Sequence, residues 1–284
     1  MKHAVDVTWL FANLARVKVL DAGIVKPGQQ GPYQPPAKIQ GALRFDISGA
    51  LCAEQAKTPN MCCSAAQFQA EMRQLGINHD DVLVVYDDKG MFSAARAWYM
   101  LKKMGHEQVF VLDGGLPAWC EKQYPTCQSY LMPAIAGDFV ANFDDSAFID
   151  KDAVIANIPS QQSLMIDARG AKRFSGDEPE PRADMRGGHV PKSKNLPYTR
   201  LLNADGCFKP LTELEVLYGD LSKNKTKPLI FSCGSGVTAC ILALVADELG
   251  YQQLTVYDGS WSEWGADPDV PVETGESTSH TNLT

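Results

Sequence analysis

One pattern occurs twice along these 284 residues, and a chain that repeats a unit of this size is committed to two like-folded halves. In the later copy a short apolar run, Leu229–Ser232, leads into a glycine-flanked loop, and an amphipathic run follows that ends at Gly250. A further apolar run, Leu254–Tyr257, then passes into Asp258-Gly-Ser-Trp-Ser-Glu-Trp264. In the earlier copy Val82–Tyr86 leads to Asp87-Asp-Lys-Gly-Met-Phe92 and a helical run from about Ser93, closed by Gly105. There Val109–Leu112 passes into Asp113-Gly-Gly-Leu-Pro-Ala-Trp119. Gly105 and Gly250 are as far apart in the chain as Trp119 and Trp264. Upstream, Val19-Leu-Asp21 corresponds to Met165-Ile-Asp167, and Ile39–Phe45 to Val190–Leu196.

Short apolar strands alternating with helices require a mostly parallel sheet whose two faces are both covered. The expected fold class is therefore α/β, with two tandem domains that each carry helices on both faces of a sheet. The periodicity breaks around Leu131–Ser146, where Pro133, Gly137 and an acidic pair intervene. This sets the expected organisation: a first domain over 1–130, a linker over 131–146 and a second domain over 147–273. The end of the chain, 274–284, has no apolar pattern and is expected to be a mobile tail.

Composition limits what such a protein can do. A net charge of −8, with no basic run, argues against nucleic acid and anionic membrane as partners. No apolar stretch approaches the roughly 20 residues that cross a bilayer, and Met1–Trp9 has no signal-like apolar core. A soluble, cytoplasmic protein is the expectation. Eight cysteines stand at 52, 62, 63, 120, 127, 207, 233 and 240, with no Cys-x-x-Cys pair and no histidine at zinc-ligand spacing. No metal and no disulfide framework is expected, and most of these thiols read as small buried hydrophobes. Cys62-Cys63 reads as lying on an exposed polar stretch open to oxidation.

Cys233 differs from the rest. It stands at the mouth of Cys233-Gly-Ser-Gly-Val-Thr238, between a buried strand and a helix. A loop that opens a helix gathers free N–H groups and the positive end of the helix dipole, and a thiol placed there ionises more readily. Asp87 stands at the corresponding point of the first copy, so that copy has no thiol at its loop mouth. The first copy reads as non-catalytic, supplying one wall of a pocket, with Asp87 a helix-capping residue.

Together with Arg173-Phe-Ser-Gly-Asp-Glu-Pro-Glu-Pro-Arg182, Gly188-His-Val-Pro191 and Tyr257-Asp-Gly-Ser-Trp261, this loop resembles those of the two-domain rhodanese-type sulfurtransferases. The resemblance runs from Trp9 to about Val272 and implies two rhodanese-like domains with only the second catalytic. Within the family, the uncharged loop resembles that of the 3-mercaptopyruvate sulfurtransferase branch; the thiosulfate branch carries basic side chains just after the cysteine. The resemblance implies catalytic roles for Cys233 and Ser235, and substrate-carboxylate binding by Arg173 and Arg182, with Arg173 the stronger candidate. It further implies that backbone groups of Gly234, Gly236, Val237 and Thr238 cradle the reacting sulfur. The implied cycle moves sulfur from 3-mercaptopyruvate onto Cys233 as a persulfide, releases pyruvate, and hands the sulfur to a thiol or cyanide. No cofactor is implied, and the acceptor stays open between thioredoxin, another thiol and a biosynthetic protein. There is one departure from the pattern. Lys38 stands where family members place a proton-relaying histidine, so that relay is not carried over.

Other residues read as structural: Arg169 and Arg186 as scaffold, His189 as turn-fixing, Trp261 and Trp264 as core, and Cys240 as packing. Three rival activities follow from the same residues. A Cys-x5-Arg phosphatase would need an arginine where Ala239 stands. A thiosulfate sulfurtransferase shares the sulfur chemistry, and a non-enzymatic sulfur carrier would use only the persulfide-forming cysteine.

Overall fold

The computed structural model describes residues 1–275. The expected tail falls almost entirely on 276–284, outside the described residues, while the Gly275 N–H still bonds the Ser175 carbonyl at 2.8 Å. Each copy of the repeat forms a five-stranded sheet in which every pairing is parallel. The first runs Ala4–Val5, Val109–Leu112, Leu83–Tyr86, Lys18–Asp21, Leu43–Arg44 across its width. The second runs Lys194–Asn195, Leu164–Asp167, Leu229–Ser232, Leu254–Tyr257, Phe148–Ile149.

Alternation along each strand divides the sheets into two covered faces, as period-2 geometry demands. In the first sheet Val19, Val84, Tyr86 and Leu112 meet Leu10 of helix Val7–Asn13 and Trp119 of helix Gly115–Glu121. The alternate residues Leu20, Leu83, Val85 and Val111 face the opposite core with Phe68 and Met72 of helix Ala65–Gln74. The second sheet repeats this, with Met165, Ile230 and Tyr257 against Trp261 and Trp264, and Leu164, Phe231 and Val256 against Leu214 and Tyr218. The two halves share one apolar core. Helices Ala94–Lys103 and Ala239–Glu248 pack against each other, and residues 94–101 and 239–246 are all buried. A helix apolar on every side has to be enclosed on every side, and here the other half of the molecule encloses it.

Several local expectations shift. The third strand of the first sheet starts at Leu83 rather than Val82, and the following helix at Ala94, with Ser93 as its cap residue. Arg173 lies on a short helix, Ala171–Ser175, and Arg182 in the proline-containing loop that follows it. Cys62-Cys63 is not an exposed stretch. Cys63 is 4% exposed and Cys62 is half-buried, because the segment turns in against Phe68 and the shared core. No helix among the described residues is long and apolar enough to cross a membrane.

Candidate active site

Ligands of open α/β sheets bind beyond the carboxyl ends of the strands, where neighbouring connections part to opposite sides. In the second sheet that point lies between the adjacent strands Leu164–Asp167 and Leu229–Ser232. Loops Ala168–Gly170 and Cys233–Thr238 leave from it, and a cavity of about 220 Å³ opens between them. Cys233, Gly234, Ser235, Val237, Thr238, Arg173 and Arg182 all line this cavity. The first half supplies the facing wall through Ile24, Lys26, Asn60 and Phe92.

The Cys233 loop is held from behind. Ser260 Oγ accepts the N–H groups of Cys233 at 3.2 Å and Gly236 at 3.0 Å, and itself donates to the Tyr257 carbonyl at 2.8 Å. The carbonyls of Cys233 and Gly234 accept from the N–H groups of Trp261 and Ser262. Gly236 has φ +71°, and a Cβ there would stand 2.9 Å from the Asp258 carbonyl. Only glycine fits this turn without strain. One expectation is corrected here: Gly236 does not line the cavity, and its N–H is already spent on Ser260. In contrast, the N–H groups of Gly234, Ser235, Val237 and Thr238 have no acceptor among the described residues. They lie at the start of helix Ala239–Glu248, whose cap residue Thr238 makes no side-chain cap. Cys233 is 2% exposed, so its sulfur meets solvent only through the cavity.

Charge in the cavity is one-sided. Lys26, Arg169, Arg173 and Arg182 line it, and no carboxylate does among the described residues. These cations are not equally free. Arg169 is buried between Asp167 (2.7 Å) and Glu180 (2.7 Å), with its guanidinium 4.2 Å from the Trp261 ring centre. Arg173 pairs with Glu180 through both Nε, at 3.2 Å, and Nη2. Arg182 has a neutral partner, Ser262 Oγ at 2.9 Å, and pairs with no carboxylate among the described residues. Burial pulls its guanidinium below the ordinary arginine value, and the neighbouring Cys233 pulls the other way.

Several residues meet the site without a recognisable sequence signal. Asn60 donates from Nδ2 to Ser235 Oγ at 3.1 Å. Arg96, fully buried on the first half's central helix, reaches Asp258 Oδ1 at 2.7 Å and the Asn60 carbonyl at 2.8 Å. Asp258 also accepts the Cys62 N–H at 2.7 Å. Lys38 is remote from the cavity: its ammonium bonds the Gln128 carbonyl at 2.9 Å and lies over the Tyr130 ring. His189 bonds the Phe174 carbonyl at 2.9 Å and stacks on that ring, and Arg186 ties together the Trp264 and Val270 carbonyls.

The description Rhodanese-like domain matches the chain twice, over residues 12–122 and 150–267. A curated relative from Arabidopsis thaliana, thiosulfate/3-mercaptopyruvate sulfurtransferase 1, mitochondrial, is 38% identical over 97% of this chain and 79% of its own length. The 3-mercaptopyruvate sulfurtransferase of Escherichia coli (strain K12) is 36% identical over 95% of this chain and 97% of its own. The crystal structure of the 3-mercaptopyruvate sulfotransferase SseA from Escherichia coli matches with a TM-score of 0.80 and 34% identity, over 91% of this chain and 98% of that one. With two matched domains, full-length relatives and a shared fold, this chain belongs to the rhodanese family, as a tandem of two rhodanese-like domains.

Proposed function

We propose that this chain is a 3-mercaptopyruvate sulfurtransferase that works through a persulfide on Cys233. The observation that carries the reading is the union of one cavity-facing cysteine, free N–H groups around it, and a loop without charged side chains whose cations, Arg173 and Arg182, come from another segment lining the same cavity. The Cys233 thiolate attacks the substrate sulfur, the carbon–sulfur bond breaks, and its electrons leave as the enolate of pyruvate. That enolate takes up the proton the substrate thiol gave up, leaving pyruvate and an anionic persulfide. The free N–H groups of Ser235, Val237 and Thr238 stabilise negative charge on either sulfur anion. Catalysis belongs to residues 147–273, and residues 1–130 close the cavity.

Donor choice follows from where the positive charge lies. A compact dianion such as thiosulfate carries its charge beside the transferred sulfur and gains most from cations on the loop itself. Gly234 and Ser235 offer none; on this reading Arg182 and Arg173 hold the carboxylate of a mercapto-acid, Arg182 being the less neutralised of the two. The Arabidopsis relative has both donors in its name, so some thiosulfate turnover accompanies this reading. The test is kcat/KM of the purified protein for each donor with cyanide or a small thiol as acceptor. A clear preference for mercaptopyruvate with pyruvate release supports the proposal, and a clear preference for thiosulfate overturns it. Thioredoxin belongs to the same proposal as one protein acceptor able to approach the cavity mouth.

A further inference from the structure

We infer that Asn60, a residue of the non-catalytic half, positions the Ser235 hydroxyl for sulfur transfer; this rests on the reading of Cys233 as the sulfur-accepting group. Asn60 is 7% exposed and lines the same cavity as Cys233 and Ser235. Its backbone adopts φ +66°, a left-handed conformation that asparagine tolerates better than other side-chain-bearing residues. Three further ties fix it. Its carbonyl accepts from Arg96, its Oδ1 accepts from Ser48 Oγ at 2.7 Å, and its Nδ2 donates to Ser235 Oγ at 3.1 Å. Arg96 is in turn anchored on Asp258, the residue packed against Gly236 at the back of the loop. One buried cation thus sets both Asn60 and the loop that Asn60 touches.

The direction of the last bond has a chemical consequence. Because Asn60 donates, it occupies a lone pair of Ser235 Oγ and leaves the hydroxyl proton free. That proton has no acceptor among the described residues, so it is available to the cavity. There it can donate to the enolate oxygen that develops as the carbon–sulfur bond breaks, an interaction stronger in the transition state than in bound substrate. An amide neither gains nor loses a proton near neutral pH, so Asn60 orients Ser235 without acting as its base. Histidine-type relay chemistry is unnecessary to this arrangement, consistent with Lys38 lying elsewhere.

Asn60→Gly removes the side chain and accepts the left-handed backbone, so it isolates the hydrogen bond from strain. With mercaptopyruvate its kcat should fall about tenfold while KM changes less than about twofold, the signature of a contact that matters in the transition state. Ser235→Ala should fall at least as far, and the double variant Asn60→Gly with Ser235→Ala should be no slower than Ser235→Ala alone. Asn60→Asp, which turns the donor into an acceptor and captures the hydroxyl proton, should be slower than Asn60→Gly. Unchanged turnover in Asn60→Gly overturns the inference. So does a loss that multiplies on top of Ser235→Ala, since that marks a general structural effect; thermal unfolding of each variant identifies simple misfolding. Failure of the underlying reading gives a separate result, because the unaltered protein would then gain no sulfur from mercaptopyruvate.

Discussion

Asp87 and Cys233 hold the same place in the two halves, each directly after the last residue of its sheet's central strand and just before a buried helix. In the first half the Asp87 carboxylate occupies the amide fan itself, with Oδ2 accepting from Phe92, Ser93 and Ala94 at 2.7, 2.8 and 2.9 Å. The fold therefore builds a binding place for negative charge at this turn twice. It fills one with a fixed carboxylate and leaves the other free around a sulfur atom.

Replacing Asp87, itself fully buried, with alanine strands four N–H donors: those of Phe92, Ser93 and Ala94, and the Lys89 N–H that Oδ1 accepts at 2.8 Å. Each buried donor left unsatisfied costs about 1–3 kcal/mol, so Asp87→Ala should lower the unfolding free energy by at least 2 kcal/mol or so. Asp87→Asn keeps one acceptor oxygen and should cost less. Denaturant unfolding measures both. Sulfur uptake by Cys233 should survive in whatever fraction remains folded, because Asp87 caps a helix of the other half.

Arg182 should matter more than Arg173 for substrate binding. Glu180 already engages Arg173, whereas Arg182 meets only a serine hydroxyl. Loss of a charge-assisted hydrogen bond to a carboxylate is worth about 1.5–3 kcal/mol, so Arg182→Ala should raise KM for mercaptopyruvate by roughly 10–100-fold. Arg173→Ala should raise it less. Steady-state kinetics on the two variants decide the order, and Arg182→Lys should recover only part of the loss because the planar fork is gone.

Stability should fall on mild acidification. Burial holds both His106 and His189 below the ordinary imidazole value, with only partial compensation from the carbonyls of Asp81 and Phe174. The folded state thus keeps both rings neutral, while the unfolded chain protonates near 6.5. Their contribution is complete above that pH and is lost as pH drops toward the depressed folded values. Asp21 and Asp113, raised by burial, work in the opposite sense, and the His106→Asn comparison separates the imidazole share from theirs. Thermal unfolding at about pH 7.5 and about pH 5.5 should show the lower Tm at the lower pH, with a narrower gap in His106→Asn. A Tm that rises on this acidification contradicts the assignment.

Much of this architecture was legible in the residues because it is local. Runs such as Leu229–Ser232 and Val109–Leu112 are bounded by turn residues, and the glycines at 105 and 250 take φ +91° and +84° as helix-ending residues do. Cys233 could be named because a loop before a helix has its own logic, and Arg173 and Arg182 because their stretch resembles that of a known family. What escaped is what lies between the halves. Asn60 reads as an ordinary turn residue after Pro59, and its contact with Ser235 spans 175 positions. Arg96 looks like any helix arginine until the second half buries it against Asp258. Cys62 stands in a polar-looking stretch, and its N–H is taken up by Asp258 of the other half. No periodicity encodes such contacts, since they arise only when two cores merge.

Sulfur uptake at one residue is the most direct test. The intact protein, incubated with mercaptopyruvate, desalted and weighed by electrospray mass spectrometry, should be heavier by one sulfur atom. Cyanide should remove that gain, and Cys233→Ser should never acquire it. A protein that turns over mercaptopyruvate with no added sulfur, or a Cys233→Ser variant that still carries it, would contradict persulfide chemistry at Cys233.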